Sequence, residues 1–464
     1  MPAGGGLLQL VATGKQDLFL TGNPQVSFFK MVYRRHTNFA VESQPMYFDG
    51  TPNFGQRITC LIPRRGDLLG RVYLDVVLPM IYDTEGNPLS YTNAVGHALI
   101  QEITFEIGEQ EIDRQTGEWM EVWTQLTTPP GQRAALNEMI GRVEPYTMSA
   151  ANLIQPGHST AQPPLPSSDG LHLLIPLQFY FCNNPGLYVP LIALQYSPIR
   201  INITLRPLQQ LFWTPLPVPP ASQQTQLTQG TNCVTQVSCT TPITSMMLWG
   251  EYVYLDVDER RMFVSTTHEY VIEQVQYTPP HALTASQTNA TVSVEFNHPM
   301  KEFIFVVQRD VMESLNEWFN YSNLATGEAV PTLVAPYINS TSPAGRLDLI
   351  SNATLQLDGQ DRFMTRTPQY FRLQQPYDHH TTTPQTSFIY NYSFALRPED
   401  VQPTGTMNAS RIDSIVWQIQ MNTVLSNPTI PSYQQRGNCH IVIYGHNYNV
   451  FRVINGFGGL LFTI

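Results

Sequence analysis

The sequence predicts an all-β protein built from two similar halves. Three observations carry this. Runs of alternating or β-forming residues recur along the chain, turn residues separate them repeatedly, and one series of strands and turns occurs twice in the same order. Residues 57–62 (Arg-Ile-Thr-Cys-Leu-Ile) and 292–296 (Val-Ser-Val-Glu-Phe) alternate, and residues 71–78 are rich in β-formers. In the first half, strand 58–62 meets the turn Pro63-Arg64-Arg65-Gly66-Asp67 and then strand 72–78. In the second, strand 292–296 meets Asn297-His298-Pro299 and then strand 303–307. Residues 105–110 have a counterpart at 355–360. Each half then shows an aromatic strand (179–181; 388–394), a Pro/Gly turn and an apolar strand (199–205; 412–419). Each closes on a strand with a polar turn, at 252–256 and 441–445. The order predicts two copies of one β-fold joined near residues 257–268.

Helices are few. Asn23-Pro24 is a capping pair, and Phe28, Phe29, Val32 and Tyr33 follow at helical spacing, with Arg34, Arg35 and His36 at the favoured C-terminal end. A helix is therefore expected over residues 23–36, preceded by an arm with the flexible run Gly4-Gly5-Gly6. Two further helices are expected at 117–126 and 133–143. Loops rich in Pro, Ser, Gln or Thr are expected at 155–170 and 215–230.

Composition limits the function. The 464 residues suit two domains, and 42% hydrophobic residues suffice for cores. Charged residues make up 13%, against about 25% in an average soluble domain, so partners or neutral polar groups must cover much of the surface. The 37 prolines demand many loops and strand edges. A net charge of −11 disfavours direct nucleic-acid binding, which needs a basic face. The five cysteines (60, 182, 233, 239, 439) are odd in number and sparse, so reduced thiols are expected, with Cys233–Cys239 the one pairing in reach across a short loop. No signal peptide and no run of about 20 apolar residues is visible, which places synthesis in the cytosol.

Motifs with chemical potential have plainer readings. Arg65-Gly66-Asp67 sits at a predicted turn, where Gly and Asp are expected on structural grounds. Asp378-His379-His380 reads as a solvated loop rather than a metal site, and the chain has no His-x-His. Glu109, Glu111 and Asp113 share a strand face, yet Gly108 and Gln110 mark a hairpin tip and make them solvated charges. Gly14-Lys15 lacks the rest of a phosphate loop. Lys30, Arg34 and Arg35 form a basic cluster that suits either an inner partner or an ordinary helix end. Of the Asn-x-Ser/Thr sites at 202, 289, 320, 339, 352, 391 and 408, Asn320 and Asn339 lie in loops and are the candidate glycan acceptors, with unmodified polar loops the preferred reading. No nucleophile has a placed base, so no catalytic residue, metal ligand or cofactor is expected.

Particular residues carry a family resemblance. Leu8-Gln9-Leu10-Val11-Ala12, Leu20-Thr21-Gly22-Asn23-Pro24-Gln25 and Val32-Tyr33-Arg34-Arg35-His36-Thr37-Asn38-Phe39-Ala40 open the chain. Pro185-Gly186-Leu187, Pro190-Leu191-Ile192-Ala193-Leu194-Gln195-Tyr196, His268-Glu269-Tyr270-Val271-Ile272 and Leu357-Asp358-Gly359-Gln360-Asp361-Arg362-Phe363 follow, and Asn447-Tyr448-Asn449-Val450-Phe451-Arg452 with Gly456-Phe457-Gly458-Gly459-Leu460 ends it. In order, they resemble the major capsid proteins of chlorella viruses and their nucleocytoplasmic large DNA virus relatives. Loops 128–170, 207–245 and 311–343 fall outside the likeness.

The resemblance implies two consecutive eight-stranded antiparallel jelly rolls with short helical excursions and long loops. It divides the chain into an arm (1–24), a first roll (25–256, with an insertion at about 117–170 and a Pro-rich loop at about 207–245), a linker (257–268) and a second roll (269–464). It further implies a homotrimeric, pseudo-hexagonal capsomer of an icosahedral shell. Its partners would be neighbouring capsomers and minor capsid proteins, and it would be made in the host cytoplasm and resident in the virion. The competing reading, a secreted jelly-roll lectin or glycan-active enzyme, needs a signal peptide, disulfides and a placed carboxylate or metal set.

Overall fold

Alternation in the sequence becomes sheet faces in the structure. The first half forms β1 (Phe39–Met46), β2 (Arg57–Leu61), β3 (Leu68–Leu78), β4 (Ile100–Ile107), β5 (Gln110–Thr116), β6 (Leu171–Pro176), β7 (Ile199–Leu205) and β8 (Ser245–Leu255). They make two four-stranded sheets, ordered β1-β8-β3-β6 and β2-β7-β4-β5. The second half forms β9 (His268–Tyr277), β10 (Asn289–Val294), β11 (Pro299–Arg309), β12 (Ile350–Leu357), β13 (Gln360–Asp361), β14 (Tyr390–Ser393), β15 (Ile415–Met421) and β16 (Cys439–Ile454). These make sheets ordered β9-β16-β11-β14 and β10-β15-β12-β13, with short strands added to the first. Adding eight to each label of the first roll gives the second. Both halves are therefore jelly rolls, and the duplication seen in the sequence is one of topology. The middle pairs correspond too: Ile103 faces Ile203 across β4–β7, and Leu355 faces Trp417 across β12–β15, both antiparallel.

The computed structural model describes residues 4–12, 14–81, 90–142, 170–213, 242–323, 347–384, 387–426 and 435–462. They form two units, Met1–Phe39 and Ala40–Ile464. Each roll has its own core between its sheets. In the first, Leu74 and Val76 of β3 meet Ile103 and Phe105 of β4 and Ile201 of β7. In the second, Phe303 and Phe305 of β11 meet Leu355, Trp417 and Ile443. Cys60, Cys182 and Cys439 are free and buried, and burial pushes their thiols up to about 12, 12 and 11. Cys233 and Cys239 lie outside the described residues.

Three expectations change. The helix over residues 23–36 does not form. Helices occur instead at Gly4–Val11 and Leu18–Thr21, Asn23 takes a left-handed φ of 52°, and the chain then runs without helix to β1. Phe28, Phe29 and Val32, the expected apolar face, are more than four-fifths exposed, and an isolated helix this short is marginal in water. The aromatic strand at 179–181 does not form: β6 ends at Pro176, although Leu177 N–H still donates to the Val72 carbonyl of β3 at 3.0 Å. Tyr180–Asn183 is a helical turn that drives Phe179 and Phe181 onto Phe105, with ring centroids at 5.4 and 4.8 Å. The second excursion helix runs Pro130–Ile140, opened by its proline at the first turn, rather than 133–143.

Candidate functional site

The helix Gly117–Thr127, between β5 and β6, organises the region where the two rolls meet. Thr116 caps it by accepting from Trp119 N–H at 3.2 Å. A Cβ on Gly117 would strike the carbonyl oxygens of His97 and Ile100, so only glycine lets the helix start this close to the sheet. On the side facing its own roll, buried Glu121 accepts from Arg142 at 2.6 Å, His97 at 2.7 Å and Gln125 at 2.7 Å. Burial pushes this carboxyl up, but Arg142 and His97 outweigh it and hold it at about 2.

The opposite face of the helix serves the other roll. Trp119, Val122, Trp123 and Leu126 pack on Val275, Ile304, Val306 and Tyr444. This explains a difference between equivalent strands. β3 alternates between buried and more exposed residues, whereas β11 is buried on both faces from Met300 onward. Polar contacts extend the seam. Asp113 accepts from Val275 N–H at 3.2 Å and from Gln115 at 2.7 Å, and burial pushes its carboxyl up to about 6. Arg206 stacks over Trp318 at 4.0 Å, and Trp318 donates to the Gln210 carbonyl at 2.8 Å. Thr382 N–H donates to the Leu126 carbonyl at 2.9 Å.

Beneath the tryptophans lies a chain of buried charges. Lys301 Nζ is 2.6 Å from Glu273 Oε1, and His446 bridges Glu273 and Glu302 at 3.6 and 3.5 Å. His380 bridges Glu302 and Glu399, both at 2.9 Å. Asn391 Nδ2 donates to Glu302 Oε2 at 2.9 Å. The Trp123 and His446 rings meet edge-on at 4.6 Å. Burial pushes Glu302 up, yet His380 and His446 hold it far below the usual carboxylate range. Glu273 is likewise pushed up by burial but brought to about 2 by His446 and Lys301. Glu302 and His380 have no exposed side-chain surface, so no substrate reaches them. Charges linked in this way fix geometry and register rather than react.

The residues singled out in the sequence scatter. Arg65-Gly66-Asp67 is the tight turn between β2 and β3, and Asp67 is buried, accepting from Leu255 N–H at 2.9 Å. Glu109 and Glu111 are exposed as expected, but Asp113 is not a solvated charge: the strand carries it beneath the second roll. His380 is no loop residue in solvent either. It follows the helix Gln375–His379 and turns into the carboxylate chain, while Asp378 stays exposed. Lys30, Arg34 and Arg35 lie exposed in the non-helical part of the arm. Asn320 is half-buried, its amide donating to Glu317 and its oxygen accepting from Ser322 Oγ at 2.7 Å. Asn339 lies outside the described residues. Among the described residues no group of three or more His, Cys, Asp or Glu is arranged to hold a metal ion.

Two like rolls, clamped by an enclosed seam, define a double jelly-roll structural protein. The family model described as major capsid protein N-terminus matches residues 27–256, and that of the large eukaryotic DNA virus major capsid protein matches 259–459. The major capsid protein of Pyramimonas orientalis virus is 36% identical, over 99% of this chain and 100% of its own. That of Paramecium bursaria Chlorella virus 1 is 33% identical over 99% of each. The chain in a quasi-atomic model of the PBCV-1 virus capsid superposes with a TM-score of 0.71 at 28% identity, covering 94% of this chain and 100% of that one. The Faustovirus major capsid protein shares the fold at 10% identity, with a TM-score of 0.67 over 95% and 94%. The chain belongs to the major capsid protein family of large eukaryotic DNA viruses. It is a structural protein of the virion shell, packed against neighbouring capsomers, and not an enzyme.

Proposed function

We propose that this chain forms a homotrimer, the pseudo-hexagonal capsomer that tiles an icosahedral shell. The observation that carries the reading is the identical strand order of the two rolls. Two like lobes per chain make six per trimer, which suits a hexagonal lattice, and cyclic closure avoids open polymerisation. The low charge of the chain supports a large interface, since burying unpaired charge is costly. Minor capsid proteins would sit beneath the capsomers, and assembly would take place in the host cytoplasm. The test is native mass measurement at micromolar concentration in mild buffer: three chains per particle is expected, and a stable monomer would defeat the reading.

Glycan attachment at Asn320 would require the side-chain amide to give up its bonds to Glu317 and Ser322. The unmodified amide is therefore the expected form at this position, and peptide mass mapping tests it. A glycan at Asn339 would be read by the same experiment.

A further inference from the structure

We propose that the pocket beside the turn between β2 and β3 binds a dianionic phosphate monoester group. The pocket has a volume of about 440 Å³ and is lined by Arg64, Arg65, Asp67, Leu191, Tyr254 and Arg260, among others. Its three guanidiniums come from two places far apart in sequence. Arg64 and Arg65 belong to the turn, and Arg260 to the linker helix Val257–Ser265. In a chain of net charge −11, such convergence is a local reversal of sign.

The arginines are held in place before any ligand arrives. Arg64 donates to the carbonyls of Gln195 at 2.6 Å and Ser197 at 3.1 Å. Arg65 donates to Gln44 Oε1 and the Pro45 carbonyl, both at 3.2 Å. Arg260 Nε lies 3.1 Å from Asp67 Oδ1. The turn itself is fixed, because a Cβ on Gly66 would come within 2.9 Å of Tyr252 Cβ. These bonds use one or two nitrogens of each guanidinium, and a guanidinium offers five N–H donors. Donors already oriented lose little entropy on binding.

Charge selects the ligand. Three guanidiniums and one carboxylate leave the lining at a net +2. A phosphate monoester carries about −1.5 to −2 at neutral pH and presents three oxygens to planar forks. A carboxylate or a phosphodiester, with a single charge, leaves the pocket half-neutralised. Glu42, whose carboxylate accepts from Tyr254 Oη at 3.2 Å, is not among the lining residues. The group has three sources with the same chemistry: free phosphate, a phosphorylated peptide and a lipid headgroup ending in a monoester.

The full chain is titrated calorimetrically with inorganic phosphate at constant ionic strength, beside Arg65→Gln, Arg260→Gln and the charge-matched control Arg362→Gln, which lies outside the pocket. Saturable binding is expected, at least tenfold weaker in each pocket variant and unchanged in the control. If Arg260→Gln fails to fold, Arg65→Gln carries the test. Flotation with phosphatidic acid vesicles then separates the sources: capture that Arg65→Gln abolishes assigns a lipid, and no capture assigns a soluble or peptide-borne phosphate. Absence of saturable phosphate binding, equal weakening in Arg362→Gln, or equal capture by phosphatidylglycerol vesicles would overturn the proposal.

Discussion

His380 Nε2 stands 2.9 Å from Glu302 Oε2, and neither side chain has exposed surface. On its other side His380 Nδ1 is 2.9 Å from Glu399 Oε1. Burial alone would push this imidazole down, but the two carboxylates outweigh it and raise it to about 9. The second roll thus carries a protonated histidine clamped between carboxylates, directly under Trp123 of the first roll's helix.

A pH dependence follows from that clamp. The folded-state pKa lies above the unfolded value of about 6.5. Its stabilisation is therefore complete below about 6.5 and is lost as pH rises through about 9. Glu273 works in the opposite sense: held at about 2, it stabilises above its unfolded range and loses this as pH falls toward 2. Replacing His380 with Gln removes one partner of a buried pair, at a cost of about 3–5 kcal/mol near pH 6. The variant should also lose the alkaline decline of the wild type. Denaturant midpoints from pH 5 to 10, at one protein concentration, read both. An unchanged alkaline slope would show that His380 does not set it.

Asp113 has the reverse sign among carboxylates. Burial raises it from 3.8 to about 6, so the folded state favours its protonated form. That contribution is full below about 3.8 and disappears as pH rises through about 6. Asp113→Asn keeps an acceptor for Val275 N–H and carries no charge. It should gain about 2 kcal/mol on the wild type between pH 4 and pH 8, because the unfolded carboxyl is already more than half ionised at pH 4. Unfolding curves at these two pH values check this, and a pH-independent difference would refute it.

Trp119 is fully buried where the helix meets Tyr444, with ring centroids at 5.4 Å. Trp119→Ala should cost about 3–5 kcal/mol through the cavity it leaves. Because the cavity opens between the rolls rather than inside one, the two rolls should then unfold in separate steps. Calorimetry showing a single transition like that of the wild type would mean that the coupling of the rolls does not depend on Trp119.

The strands were legible because their signals are local. Alternation at 292–296 and the turn chemistry at 63–67 each lie within a few residues, and the repeated order marked the neighbourhoods of β2, β3, β4, β7 and β8 and of their counterparts β10, β11, β12, β15 and β16 without any partner in view. The strand expected at 179–181 failed because β6 ends before it and its aromatic residues fill the core from a helical turn instead. The seam was not legible. Trp119 and Ile304 are far apart in sequence, and nothing near His380 marks it as inward-facing while Asp378 beside it is exposed. One signal was available. The unbroken run Phe303-Ile304-Phe305-Val306-Val307 implies burial on both faces, hence a cover over the second roll.

The arm poses the last test. Leu7, Leu8, Leu10 and Val11 on the helix Gly4–Val11 are all about two-thirds exposed or more, and Phe28, Phe29 and Val32 more so. The arm and the remainder of the chain are separate units, Met1–Phe39 and Ala40–Ile464. A segment this apolar and this short cannot make a core of its own, and it gains order by using a partner's surface. Neighbouring capsomers need contacts with one another, and a tethered apolar arm can supply them. Deleting residues 1–22 should therefore leave the jelly-roll unit folded, with an unchanged unfolding midpoint, while impairing shell assembly followed by electron microscopy. A deletion that lowers the midpoint would place the arm within the folded core. A deletion that assembles normally would show that these contacts lie elsewhere.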